Sequence, residues 1–133
     1  MPRNKLSSEK GISLSGGCCV VCGWKKKSHK GKLLVEGAHV RGFRNISDYD
    51  NFDNIIGLCP NHHTEFDAGN ITIDPIKKTS VHFDKKDPFN NKKIKGKIKH
   101  VQKGYFDYHN KKIFNSTLAF QKLVNSSIYF LFR

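Results

Sequence analysis

Cys19-Val20-Val21-Cys22 and Cys59-Pro60-Asn61-His62 share one spacing: two metal-binding side chains with two residues between them. Each pair can grip a tetrahedral ion from a tight turn, and together they make a Cys3His zinc set of Cys19, Cys22, Cys59 and His62. Such an ion ties two distant turns together, along with the segments they flank. Cys18 completes the four cysteines. Its spacing to Cys22 is less usual, and it reads as a bystander. The competing reading is a set of buried free thiols or a redox pair, but a thioredoxin-like βαβ context is missing. Four protein ligands leave no open position for water, so this ion would be a staple and not a catalyst.

The 133 residues suffice for one domain with a modest core, a size at which a metal staple often helps. Lys and Arg total 24 against 11 Asp and Glu, a formal charge of +13. Charge this far from neutral favours a polyanionic partner, because released counterions drive binding to phosphates. A lysine-rich composition without a specific partner is the bland alternative. The ten Phe are expected to supply much of the core. Residues 1–10 lack the apolar stretch of a signal peptide, and no apolar run reaches the roughly 18 residues of a membrane span. A cytoplasmic protein with no membrane partner is therefore expected.

Residues 1–17 are polar and read as an N-terminal arm, followed by a single domain over 18–133. Residues 32–40 read as a strand centred on Leu33, Leu34 and Val35, and residues 41–53 as a loop. Residues 54–58 suggest a second strand. Pro60 suits the first turn of a helix that Gly69-Asn70 would stop after Ala68. Ile71-Thr72-Ile73 and residues 80–83 are further strand candidates. Residues 84–103 carry eight lysines with Pro88 and Asn90-Asn91, and read as an exposed basic loop. Near-helical spacing of Leu118, Leu123 and Val124 predicts a C-terminal helix over about 115–130.

Within residues 18–74, the expected core, a second ordered set of residues appears. It runs Gly37-Ala38-His39-Val40, then Asn54, then Leu58-Cys59-Pro60-Asn61-His62-His63-Thr64-Glu65-Phe66-Asp67-Ala68-Gly69. This order resembles the HNH endonuclease family, in the branch that reads Ala-His-Ile, then Asn, then Leu-Cys-x-x-His-His-x-x-Phe-Asp-x-Gly. The resemblance is clear over residues 19–73 and weaker over 105–114. It implies two antiparallel strands and a helix around one divalent ion. The expected fold class is thus α+β: a ββα-metal core stapled by the Cys3His zinc site, with additional short strands and a C-terminal helix. The resemblance also implies roles: His39 as general base, Asn54 as the residue that holds the intervening loop, and His63 as a ligand of the catalytic metal.

Side-chain chemistry agrees with those roles. A neutral imidazole can take a proton from water near pH 7. His63 and Asp67 are four apart and share one helix face, as two ligands of one ion would. His62 and His63 point about 100° apart on a helix, so one can serve zinc and the other the catalytic ion. Many family members carry a metal ligand just before the base, where this chain has Ala38. Asp67, water, the substrate phosphate or Glu36 would have to complete the shell. Strand alternation points Glu36 away from the face of His39, which counts against it. Arg41 and Arg44 follow the base and suit phosphate binding. The lysines of 25–32 and 85–103 suit non-specific backbone contacts. Trp24 reads as a packing residue, and His82, His100 and His109 carry no assignable role. The sum is a metal-dependent DNA endonuclease with structural Zn2+ and one catalytic Mg2+, Mn2+ or Ni2+: a restriction enzyme, which the compact format favours, a phage or mobile-element nuclease, or a defence or toxin module. Double-stranded DNA is the expected partner. One such site cuts one strand, so a homodimer is expected for a double-strand cut. Ala38 and the basic surface also permit an alternative, a zinc-containing nucleic-acid-binding protein with an inactive nuclease site.

Overall fold

A computed structural model describes residues 5–42 and 49–115. Arg44 and the expected C-terminal helix beyond residue 115 lie outside them. The elements run in the order α1 (Lys5–Leu14), β1 (Glu36–His39), a 3-10 turn (Phe52–Asn54), β2 (Ile55–Leu58), α2 (Pro60–Ala68), β3 (Ile71–Asp74), β4 (Thr79–His82), β5 (Lys92–Lys93) and α3 (Lys103–Tyr108). A π-helical turn, His109–Phe114, continues α3. No helix of the described residues is long and apolar enough to cross a membrane.

β1 and β2 form a two-stranded antiparallel ribbon that pairs Glu36 with Leu58 and His39 with Ile55. α2 follows β2 directly, which completes a ββα unit. Cys59 caps that helix, its sulfur accepting from the His62 N–H at 3.4 Å, and Pro60 occupies the first turn. Gly69 ends the helix in the left-handed region at φ 82°. Its N–H reaches the Phe66 carbonyl, and that of Asn70 reaches Glu65, so the last carbonyls are satisfied. A second antiparallel sheet, in the order β3-β4-β5, packs on this unit.

The first strand is shorter than its apolar run predicts. Leu34 is 42% exposed, and its N–H bonds to the Lys26 carbonyl, not to the ribbon. Leu33 forms only an isolated bridge with Lys27. The knuckle that follows Cys22 folds back and takes this segment as its own partner, leaving the ribbon only residues 36–39.

Part of the expected N-terminal arm is ordered against the ribbon. Residues 5–14 form helix α1, which seats on β1 and β2. The residues that α1 buries are Ser8 and Gly11, so its contact depends on small side chains. A Cβ at Gly11 would sit 2.6 Å from the Ile55 side chain, and one at Gly37 would collide with the Ser8 hydroxyl. These two glycines let helix and ribbon approach closely.

The core is mainly aliphatic. Val20, Val21, Val40, Ile56, Leu58, Ile71 and Ile73 are almost wholly enclosed, and of the Phe residues Phe66, Phe106 and Phe114 are buried among the described residues. Trp24 packs against this cluster, as expected of a packing residue. The basic stretch is anchored as well as exposed. Lys95 and Gly96 donate backbone hydrogen bonds to the Val20 carbonyl at 2.7 and 3.1 Å, and Ile98 and Val101 enter the core.

Candidate active site and metal centres

The four residues of the cysteine pairs converge. The Sγ atoms of Cys19, Cys22 and Cys59 and a ring nitrogen of His62 all lie within 4.8 Å of one another. Cys19 Sγ and Cys59 Sγ stand 3.6 and 3.4 Å from His62 Nδ1, and Cys22 Sγ stands 3.9 Å from Cys59 Sγ. Tetrahedral zinc with bonds of about 2.3 Å to sulfur and about 2.0 Å to nitrogen would need edges of roughly 3.5–3.8 Å. The donor set therefore fits a Cys3His zinc ion. Burial pushes all three thiols up and His62 down. A metal-free pocket would thus hold neutral groups, whereas a cation there would draw three thiolates and a neutral imidazole together. Cys18 stays apart, its sulfur 3.9 Å from the Ser15 carbonyl.

His63 follows His62 on α2 but faces elsewhere. Its Nδ1 lies 2.8 Å from Glu36 Oε1, and its Nε2 lies 3.3 Å from Asp67 Oδ2. The expected partnership of His63 and Asp67 is present, and Glu36 joins it. Alternation does set Glu36 opposite His39. The face it shares, however, is the one α2 covers, and His63 lies there. Gly37, between them, opens toward α1. The missed signal was the parity of Glu36 with Ala38, the residue just before His39. The Asp67 carboxylate pushes the His63 pKa up, desolvation opposes it, and Glu36 adds to the rise. Contact with both carboxylates favours the imidazolium, its Nδ1–H donated to Glu36 and its Nε2–H to Asp67; a cation would have to take the place of the Nε2 proton. A carboxylate behind a ligating imidazole is a common way to orient it, and Glu36 stands in that relation to His63.

His39 closes the other end of β1, three residues and about 10 Å of strand from Glu36. The ring is buried, with Nε2 2.8 Å from Asp50 Oδ1. It stacks on Tyr49 at 4.2 Å between centroids, with planes 8° apart. Asn54 is fully enclosed and fastens the loop that leaves His39. Its Oδ1 accepts the Arg41 N–H at 2.9 Å, and its Nδ2 donates to the carbonyls of Arg41 and Tyr49 at 3.0 and 2.8 Å. The Val40 N–H in turn bonds to the Asn54 carbonyl. The guanidinium of Arg41 stacks over the Tyr108 ring at 4.3 Å.

The three histidines without an assigned role all prove to be structural. His100 Nε2 donates to the Ile55 carbonyl at 2.7 Å, which braces the start of β2. His109 bridges Phe66 and Thr72. His82 lies 3.2 Å from Glu65 and 3.5 Å from Asp87 through Nε2, a grouping that could suggest another ion. Its Nδ1, however, accepts the Asp84 N–H at 3.0 Å. That bond puts the ring proton on Nε2, where it donates to Glu65, so the ring has no lone pair left for an ion.

Residues 19–74 match the family model described as HNH endonuclease. A solved structure titled "Modification dependent TagI restriction endonuclease" superposes with a TM-score of 0.62 at 25% sequence identity. The superposition covers 84% of this chain but 38% of that one, so the chain spans well under half the length of this neighbour. No curated protein matches the chain. The matched stretch holds both cysteine pairs, the ribbon, Asn54 and α2, so the likeness to the HNH endonuclease family rests on the residues of the candidate site.

Proposed function

We propose that the chain is a metal-dependent DNA endonuclease in which His39 is the general base. One observation carries this reading. Within the family-matched stretch, a buried histidine at one end of β1 is held by a pinned loop, and at the other end His63 is flanked by two exposed carboxylates. The restriction endonuclease neighbour supports DNA as the substrate, and so does the charge of +13.

His39 takes the proton of the attacking water, and Asn54 keeps the loop and the base in register. His63 and Asp67, backed by Glu36, would hold the catalytic divalent cation. When bound, that cation supplies charge neutralisation at the phosphate and the leaving 3′ oxygen. Arg41 holds the phosphate, with its guanidinium plane set by Tyr108. Arg44 and the lysines of 25–32 and 85–103 extend the phosphate contacts. Cys19, Cys22, Cys59 and His62 hold structural zinc. A cytoplasmic setting suits these free thiols. Since one centre cuts one strand, a double-strand cut takes two sites, two binding events or a dimer; of these we propose a dimer, which light scattering with DNA should find.

The test is incubation of plasmid with the protein and Mg2+, Mn2+ or Ni2+. Nicking or linearisation is expected with at least one ion, and loss of it in His39→Ala. Failure with every ion would favour the alternative reading that Ala38 suggests, a DNA-binding protein with an inactive site. Full activity in His39→Ala would overturn the assignment of the base.

A further inference from the structure

We propose that Asp50 is a positioning residue for His39. Its carboxylate fixes the imidazole as the Nε2–H tautomer and so places the proton-accepting lone pair on Nδ1. The proposal rests on the reading of His39 as the base.

Several independent contacts converge on this pair. Asp50 Oδ1 lies 2.8 Å from His39 Nε2, a distance for an N–H donating to a carboxylate. The His39 side chain is 8% exposed and that of Asp50 23%, so water competes weakly for the bond. Tyr49 stacks flat on the imidazole and sets its plane. The backbone on both sides of Asp50 is held. The Tyr49 carbonyl accepts from Asn54 Nδ2, and Asn51 begins the 3-10 turn, its side chain accepting the Phe52 N–H at 3.0 Å. Asn54 thus acts on the base at one remove: it fixes the loop that delivers the carboxylate.

A carboxylate on one ring nitrogen decides which nitrogen can act as base. A neutral imidazole left to itself divides between two tautomers and rotates. With Nε2–H committed to Asp50, the neutral ring carries its lone pair on Nδ1. The same carboxylate stabilises the imidazolium formed when the water's proton arrives, which lowers the barrier to that transfer.

The tautomer is read by long-range 1H–15N NMR of the labelled, zinc-loaded protein near neutral pH. In parallel, single-turnover plasmid cleavage and DNA affinity are measured. Wild-type His39 should show the Nε2–H form. Asp50→Ala should lose this fixed form and slow cleavage about 10- to 100-fold, part of what a general base contributes, with DNA affinity unchanged. Asp50→Glu, which restores a carboxylate at a partly open position, should recover the tautomer and most of the rate. An Nδ1–H wild-type ring would overturn the proposal. So would Asp50→Ala retaining both tautomer and rate, or Asp50→Glu as impaired as Asp50→Ala. If no metal supports cleavage, the nuclease reading fails, while the tautomer still decides whether Asp50 sets the ring.

Discussion

His109 ties the fold's stability to pH in a way that can be worked out from its contacts. Its Nε2–H donates to the Phe66 carbonyl and its Nδ1 accepts the Thr72 hydroxyl, both at 2.8 Å, while the ring stacks on Phe66 at 3.7 Å. These bonds use one N–H and one lone pair, and therefore the neutral imidazole. Burial pushes its pKa down from 6.5 to about 4, with the Phe66 carbonyl opposing the shift. The unfolded chain accordingly takes up a proton that the folded chain refuses until about pH 4. Stability from this residue is complete above pH 6.5 and lost as the pH falls toward 4, at about 1.4 kcal/mol per pH unit and about 3 kcal/mol in all. At pH 5 the loss is about 2 kcal/mol, a large share of what a small domain has. Urea unfolding between pH 7 and 5, compared with His109→Gln under saturating zinc, isolates this contribution from acid release of the metal. The wild-type protein should lose stability more steeply, and the His109 ring protons should titrate near 4. A midpoint at 6 or above, or equal slopes in the two proteins, would refute the reasoning.

The sulfur site should contain about one zinc per chain, retained in mild chelator, and Cys59→Ser should lose both the metal and cooperative unfolding. Full zinc and an unchanged melting curve in that variant would rule out the Cys3His set. Gly57 is a steric matter: a Cβ there would lie 2.6 Å from the Cys18 carbonyl oxygen and 3.1 Å from a Val35 methyl. Gly57→Ala should cost about 2–3 kcal/mol in denaturant unfolding, since backbone cannot yield as a side-chain tip can. A change below about 0.5 kcal/mol, the size of an ordinary surface substitution, would show that the knuckle moves aside freely.

Spacing made much of the metal chemistry legible. Two short pairs located the Cys3His group, and Pro60 and Gly69 bounded α2 because caps are local chemistry. What stayed hidden depends on pairing across the chain. α1 gave no apolar stripe because its buried face is Ser8 and Gly11, and such a face looks like a linker. Leu33 and Leu34 looked like strand centre because hydrophobicity alone does not say which partner a segment takes. Glu36 was set aside by an alternation argument that was sound about faces but took the base as its reference. His63 and Ala38 mark the face that matters. Asp50 sits in a polar loop among Asn, Ser and Asp residues, and only the folded chain singles it out.

The seating of α1 on the ribbon bears on how portable this catalytic cassette is. Two strands by themselves are marginal in water, and β2 is buried along its whole length. A segment cut to residues 19–74 would carry Cys19, Cys22, Cys59, His39, His62, His63 and Asn54, yet leave Ile55 without the helix that covers it. Grafted into another protein, the cassette would need a substitute backing of equally small residues, because Gly11 and Gly37 leave no room for larger ones. The unit that can be transplanted is therefore wider than the unit that can be recognised.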